Sequence, residues 1–416
     1  MQTSPTRVLA IFRHFYPVLA GASERFRRYF PGLRQRGIDF QVVTTTVEAH
    51  EPPPLNVACP LLHRVEVTGE RRIDLDRRLL QEARRLIRSP EFHGAAPVIQ
   101  LISGYPALAP QLIRLRRSGA RTLFVGTMVE PSRSPDSWAG QVKRVIRQRL
   151  LAASFDFFVA SSGVMAEEMI ASGAPRKRTS IISNGVDVDR FRPLSDDQEK
   201  QSLRDRLGLP PSAPVVLFVG NIMPRKGVDL LVEAWQGVHR VFPEAVLLLL
   251  GPLERPTLTL TAEREELRAY QQRLFANCGS LLGDRIRFPG ESQEVDAYLR
   301  AADVFVFPSR KEGLGNVVLE AMASGVPMVL TDYLGRPRSE LGVPGTHFDL
   351  SDFSPQQLAG HILGLLRSPE RRRDMGEAAH RWARQYHSLS GTLDSYAALY
   401  QALSQGSRFE AIAGCK

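Results

Sequence analysis

The sequence predicts an α/β protein built from two doubly wound, parallel-sheet domains. Three observations carry that expectation. Short apolar runs alternate with amphipathic stretches along almost the whole chain. Several runs, such as Val215–Val219, are apolar at every position rather than at every second one. The rhythm also restarts after a polar, proline-containing stretch near the middle. Strands apolar on both faces are covered by helices on both sides of their sheet, as in parallel α/β architectures. A length of 416 residues suits two or three ordinary domains.

In the first half, strands are expected at Val8–Phe12, Phe40–Thr44, Val98–Ile102, Thr122–Thr127, Phe155–Ala160 and Ser180–Ile182. Apolar residues three and four apart mark helices between them at Ser23–Arg36, Leu75–Arg88 and Gly140–Ala153. The second half places strands at Val215–Val219, Ala245–Leu250, Ile286–Phe288, Val304–Phe307 and Met328–Thr331. Its helices are expected at Val228–Arg240, Thr261–Phe275, Val295–Ala302 and Asn316–Ser324. Asn184-Gly185 is a turn signal, and Leu209–Pro214 is a stiff proline-rich connector. The expected domains are 1–195 and 196–387, followed by a C-terminal helix and tail at 388–416. The aromatic-bearing stretch Leu389–Ser404 suits packing on either domain.

Apolar residues at 43% and charged residues at 24% exclude a largely disordered chain. The net charge of +10 is unevenly placed. Residues 1–195 hold 29 Lys and Arg against 17 Asp and Glu, and the remainder 25 against 27. Of the basic residues 48 are Arg and 6 are Lys, a skew that codon usage or a phosphate-facing surface would each produce. Cys59, Cys278 and Cys415 are far apart and lack ligand spacing, which points to a reducing compartment and away from a zinc or disulfide framework. No apolar run reaches the roughly 18–20 residues of a membrane span, and the stretch before Arg13 is too short for a signal peptide. A cytoplasmic location is therefore expected.

In open α/β sheets, ligands bind outside the carboxyl ends of strands. The segment Pro308–Gly325 reads as a strand end, a glycine-containing loop and a helix start. Amides around Leu314, Gly315 and Asn316, with the positive end of the helix dipole, suit a phosphate. Gly313 and Gly315 allow close backbone approach. Glu312 in the loop and Glu320 on the helix are placed to grip hydroxyls at separate points of an extended ligand. After Val215–Val219 comes Gly220–Gly227, where Arg225 and Lys226 are adjacent cations just before a helix, suited to charge-assisted bonds with phosphate. No G-x-G-x-x-G or G-x-x-x-x-G-K-[ST] string occurs. The D-x-D strings Asp74-Leu75-Asp76 and Asp187-Val188-Asp189 read as structural, and no metal is expected.

Together the two loops resemble the retaining nucleotide-sugar glycosyltransferases of family 4. The signature is Glu312 to Glu320 as Glu-x7-Glu, inside Glu-Gly-Leu-Gly-Asn-Val-Val-Leu-Glu-Ala-Met-Ala-Ser-Gly-Val-Pro. Supporting strings are Phe218-Val219-Gly220-Asn221 with Arg225-Lys226-Gly227, Ile182–Asp187 with Phe191, Phe288-Pro289-Gly290, and Ala302–Ser309. The match runs in order across about residues 180–335 and is looser at Phe15-Tyr16-Pro17 and Ala20–Arg25. The resemblance implies the GT-B fold: two Rossmann-like domains facing a cleft, an N-terminal one for the acceptor and a C-terminal one for the donor. It implies that Arg225 and Lys226 hold the diphosphate, that Glu312 contacts the transferred sugar and that Glu320 accepts from ribose. The amides of Leu314 and Gly315 would bind phosphate, with Gly21 approaching from the other domain. The implied donor is a UDP or GDP sugar, with no cofactor or metal, and the implied acceptor a glycan or lipid-linked molecule of envelope synthesis.

Two departures stand out. The family often has a histidine after a first-domain strand, whereas Phe124–Glu130 has none; Thr127 and Glu130 are the candidates for its place. Ala20-Gly21 stands where two glycines are common, and His14 suits either the first loop or packing. The basic amphipathic stretches Ser23–Arg36 and Gly140–Ala153 suit either ordinary surface helices or docking on anionic membrane. A nucleotide-sugar isomerase or hydrolase on the same fold, and an inert nucleic-acid-binding protein, are the competing classes. No nucleic-acid module is recognisable, so nucleic acid is not expected as a partner.

Overall fold

The computed structural model describes residues 5–15, 21–46, 60–66, 72–92, 96–102, 106–127, 138–253 and 261–406. Residues 16–20 of the first loop, Glu130, Cys59 and Cys415 lie outside them. The chain forms two compact units, Met1–Asn184 with Ser390–Lys416, and Gly185–Leu389. The division falls before residue 195 because Val186 and Phe191 are buried in the core of the second unit.

The first unit has a parallel sheet of β1 (Thr6–Ile11), β2 (Ile38–Thr45), β3 (Leu62–Val65), β4 (Val98–Leu101), β5 (Arg121–Val125), β6 (Phe157–Ala160) and β7 (Thr179–Ile181). Its helices are α1 (Gly21–Gln35), α2 (Arg72–Leu86), α3 (Ala109–Arg117), α4 (Trp138–Ser154) and α5 (Gly163–Ala171). The strand order is β3-β2-β1-β4-β5-β6-β7.

The second unit has β8 (Val215–Val219), β9 (Val246–Leu250), β10 (Ile286–Gly290), β11 (Val304–Phe307), β12 (Met328–Thr331) and β13 (Asp349–Ser351). Around them lie α6 (Asp197–Arg206), α7 (Val228–Val241), α8 (Thr261–Cys278), α9 (Val295–Ala301), α10 (Asn316–Ala323), α11 (Pro355–Arg367) and α12 (Pro369–Tyr386). The order β10-β9-β8-β11-β12-β13, all parallel, is the doubly wound 3-2-1-4-5-6 arrangement. Both units are thus the expected Rossmann-like sheets. Along β8, Val215 and Leu217 enter one core and Val216 and Phe218 the other. That two-sided burial is why the run is continuously apolar.

The last helix, α13 (Leu389–Gln405), belongs to the first unit. Tyr396 meets Phe26 of α1 edge-on at 5.6 Å, and the Tyr400 hydroxyl donates to Gln100 Oε1 at 2.5 Å. Arg36 closes the contact with an ion pair to Asp394 at 2.7 Å. Buried Cys278 donates to Leu274 O at 3.3 Å, and burial pushes its thiol up to about 11, so it stays protonated and unreactive. Among the described residues, no helix is long and apolar enough to cross a membrane.

One buried carboxylate fixes the second sheet at the amino ends of its central strands. Asp303, just before β11, accepts from Lys200 Nζ at 2.6 Å, Arg204 Nη2 at 2.7 Å and the Val215 amide of β8 at 2.7 Å. Burial alone would raise this carboxyl, but the Lys200 and Arg204 charges and the Val215 amide outweigh it and hold it below the usual range. Asp303→Ala leaves two cations and an amide without their acceptor and is expected to cost about 3–5 kcal/mol. Thermal unfolding of the variant measures this, and a melt coincident with wild type contradicts it. Because the carboxyl is depressed in the folded state, its contribution is complete above its ordinary value of 3.8 and is lost as pH falls below it.

Candidate active site

The second sheet reverses its winding between β8 and β11, which are adjacent although β9 and β10 separate them in sequence. Loops leaving such strands diverge, and the crevice outside them is where α/β proteins take ligands. Residues 220–227 follow β8 and residues 308–315 follow β11. Both loops singled out in the sequence therefore emerge at this reversal.

Their side chains meet. Glu312 Oε1 accepts from Arg225 Nη1 and, at 2.7 Å, from Lys226 Nζ. Ser309 Oγ lies 3.3 Å from the same oxygen and 3.2 Å from Arg225 O. Arg225 Nη1 also donates to Lys311 O at 2.7 Å, and the Arg310 amide donates to Arg225 O at 2.8 Å. The Lys226 ammonium stands 5.2 Å from the centre of the Phe307 ring, a cation–π distance. Exposure is 12% for the Glu312 side chain, 14% for Lys226 and 27% for Arg225. Two cations against one carboxylate leave net positive charge in a partly dehydrated site, which favours an anionic ligand.

Glycines allow this approach. Gly227 has φ 68°, and a Cβ there would stand 1.9 Å from Pro308 O, so only glycine lets the two loops touch. Gly220 flanks Lys226, where a Cβ would lie 3.6 Å from Lys226 Cε. Gly315, at φ 77°, precedes α10 and carries no side chain to cap it.

A second layer orients the loops. Arg310 grips Asp229 with two bonds of 2.8 and 2.6 Å and donates to Pro224 O at 2.7 Å. Tyr270 OH adds a bond to Asp229 at 3.0 Å. Burial pushes Asp229 upward, but Arg310 and the Tyr270 hydroxyl outweigh it and hold the carboxyl below its usual range. The Glu312 amide donates to Leu334 O at 3.0 Å and the Leu334 amide to Arg310 O at 3.0 Å, tying the β11 loop to the segment after β12. Tyr333 OH donates to Leu314 O at 3.4 Å. Burial, then the Glu312 charge, pushes the Tyr333 hydroxyl up, so it stays a neutral donor.

Nine of the ten expected site residues therefore lie in one unit, and Gly21 opens α1 in the other. Arg225, Lys226, Glu312 and Gly220 are brought together. Gly313, Leu314 and Gly315 share the β11 loop and Asn316 opens α10, but the Leu314 side chain is itself packed into the core. Glu320 on α10 is 5% exposed, not a solvated face residue. The spacing did not reveal that Glu312 pairs with both cations. It also missed Ser309, Arg310, Asp229 and Tyr270. Arg310 stands two residues before Glu312 and Asp229 in the first turn of α7, which was the available signal; Tyr270, on α8, had none.

In the first unit, Arg13 at the end of β1 grips Asp76 with bonds of 2.8 and 2.7 Å, and Asp74 pairs with Arg77 at 3.0 Å. Asp187 Oδ1 accepts the Asp189 and Arg190 amides, each at 3.1 Å. Asp76 is thus tied to a residue far away in sequence, Asp74 to its own helix, and Asp187 to the turn that follows it. Thr127, just beyond β5, is exposed.

If Arg310 holds the β8 loop in place, Arg310→Ala will loosen the turn in which the Lys226 amide donates to Met223 O and the Gly227 amide to Pro224 O. Hydrogen exchange at these two amides is expected to rise at least about tenfold, while β8 amides stay protected. Unchanged exchange at both contradicts the role.

Comparison with known proteins places this geometry. The model described as glycosyl transferases group 1 matches residues 199–382, and the glycosyl transferase 4-like domain matches residues 20–185. D-inositol 3-phosphate glycosyltransferase 2 of Catenulispora acidiphila is 27% identical over 401 residues, covering 91% of each chain. Among solved structures, sucrose-phosphate synthase of Thermosynechococcus elongatus superposes with a TM-score of 0.74 at 21% identity, over 97% of this chain and 100% of that one. Anabaena Alr3699/HepE in complex with UDP gives 0.73 at 18% identity, over 95% and 100%. The two family models between them span most of the sequence, each on its own Rossmann-like unit, and the chain belongs to the GT-B glycosyltransferases of family 4 type.

Proposed function

We propose that this glycosyltransferase moves a sugar from a nucleoside-diphosphate donor to a glycan or lipid-linked acceptor with retention of configuration, in the synthesis of envelope polysaccharide or glycolipid. The observation that carries the donor assignment is the meeting of Arg225, Lys226 and Glu312 where the sheet reverses, beside the amino end of α10. Arg225 and Lys226 take the diphosphate and neutralise the charge that develops on it as the bond from the anomeric carbon breaks. Glu312 contacts hydroxyls of the transferred sugar, and Glu320 those of ribose. The acceptor oxygen forms the new bond on the face the phosphate leaves, and its proton passes to a phosphate oxygen. Retention rests on the family resemblance. A uridine diphosphate donor draws support from the UDP complex of the structurally similar HepE.

The relatives favour a second acceptor reading. The Catenulispora acidiphila protein, similar over 91% of each chain, is named for D-inositol 3-phosphate, so a phosphorylated polyol belongs in any acceptor panel.

Nucleotide titration with UDP, GDP and ADP is expected to show binding of UDP or GDP. Arg225→Ala should weaken it about tenfold or more, since a charge-assisted bond contributes about 1.5–3 kcal/mol. Glu312→Ala is expected to abolish transfer while the melting transition is retained, and wild-type turnover in it contradicts the assignment. Donor consumption that needs no acceptor points instead to an isomerase or hydrolase.

A further inference from the structure

We propose that the amino-terminal half of α4 is a docking surface for an anionic lipid bilayer. The two basic amphipathic helices singled out in the first unit meet different fates. In α1, Phe26, Tyr29, Phe30 and Leu33 are all buried, and Glu24 pairs with Arg27 and Arg28. Its apolar stripe and much of its charge are used inside the unit, so α1 is not a membrane face.

Helix α4 is the reverse. Trp138 is 79% exposed, Ile146 53%, Val145 43% and Val142 37%. At the helical turn angle these four fall within an arc of about 100°, an apolar stripe wide enough for a core but facing outward. The helix is attached by its carboxyl half. Leu151, on the side opposite that stripe, packs on the core of the unit. Gln148 Nε2 donates to Ala171 O and Arg178 Nη2 to Ala152 O, at 2.8 and 2.9 Å.

Charge identifies the occupant. Lys143, Arg144, Arg147 and Arg149 are all exposed, Arg149 at the carboxyl end of the stripe, Lys143 on its flank and Arg144 and Arg147 on the polar side, and Trp138–Ser154 contains no acidic residue. Among the described residues, none of these four cations makes an ion pair. A second copy of the helix would bring four like charges against them, which is repulsive. A nucleic acid would answer the cations but not the apolar arc. The interface of an anionic bilayer answers both, taking Trp138, Val142, Val145 and Ile146 toward the acyl chains and Lys143 and Arg149 to the headgroups, with Arg144 and Arg147 adding to the positive field of the polar side.

The test is sedimentation of the full chain with vesicles of phosphatidylcholine, with and without phosphatidylglycerol. Tryptophan fluorescence is read in parallel, because Trp235 is wholly buried and Trp382 partly so, leaving Trp138 to report insertion. Binding is expected only to the anionic vesicles, with a blue shift, and it weakens as salt rises. Ile146→Asp should remove the blue shift, and reversing Lys143 and Arg149 to Glu should lower partitioning at least about tenfold. All three positions are exposed, so both variants are expected to melt with the wild type. Equal binding to both vesicles, no binding to either, or unchanged binding by the charge-reversed variant overturns the proposal. So does concentration-dependent self-association that Ile146→Asp abolishes while vesicles have no effect.

Discussion

A single carboxylate holding two adjacent cations is the interaction on which the arrangement of the site depends. Arg225 and Lys226 follow one another at the end of β8 and would repel if brought together without compensation. Glu312, from the end of β11, accepts from both. The meeting requires β8 and β11 to be neighbours, which the doubly wound order provides. It also requires their loops to touch, which Gly227 permits because no Cβ stands against Pro308 O. Taking three ionised groups partly out of water is costly unless each finds partners. The carbonyl of Lys311, the hydroxyl of Ser309 and the ring of Phe307 supply the rest.

The same pair of strands is fixed at its other end. Asp303 joins the start of β11 to the first amide of β8, with Lys200 and Arg204 of α6 closing round it. The first unit repeats the device: Asp156, just before β6, accepts the Thr122 amide of β5 at 2.8 Å and Arg116 Nη2 at 2.7 Å. In each case a buried carboxylate ties neighbouring parallel strands at their amino ends. In the second unit this leaves the carboxyl ends to carry ligand-binding loops whose strands are already held in register.

Continuous apolar runs made the central strands legible, because a strand covered on both faces has no polar positions to confuse the pattern. Two of the four edge strands were not legible: β3 reads Leu-His-Arg-Val and β13 Asp-Leu-Ser, and neither is continuously apolar. Helices α3, α5, α11 and α12 also escaped, and the Ser180–Ile182 strand starts one residue earlier, as β7. Helical periodicity announced the apolar stripes of α1 and α4 equally, yet only one is buried. The α1 stripe is covered by Phe12 after β1 and Phe40 of β2 and, from more than three hundred residues away, by Tyr396 of α13 against Phe26 and Tyr29. A stripe reports that a partner is needed and not which one. For the site, loop position and residue type identified the two cations and Glu312. Their mutual pairing, the burial of Glu320 and the Arg310–Asp229–Tyr270 support depend on contacts between loops and helices that no local spacing encodes.

The most direct test of the account is a crystal structure of the chain with an intact nucleotide sugar, UDP-glucose first and a GDP sugar second. The diphosphate is expected within hydrogen-bonding distance of Arg225 and Lys226 and the sugar hydroxyls against Glu312, in the loops that follow β8 and β11. A diphosphate bound elsewhere, with the Arg225–Lys226–Glu312 cluster untouched by ligand, would contradict it.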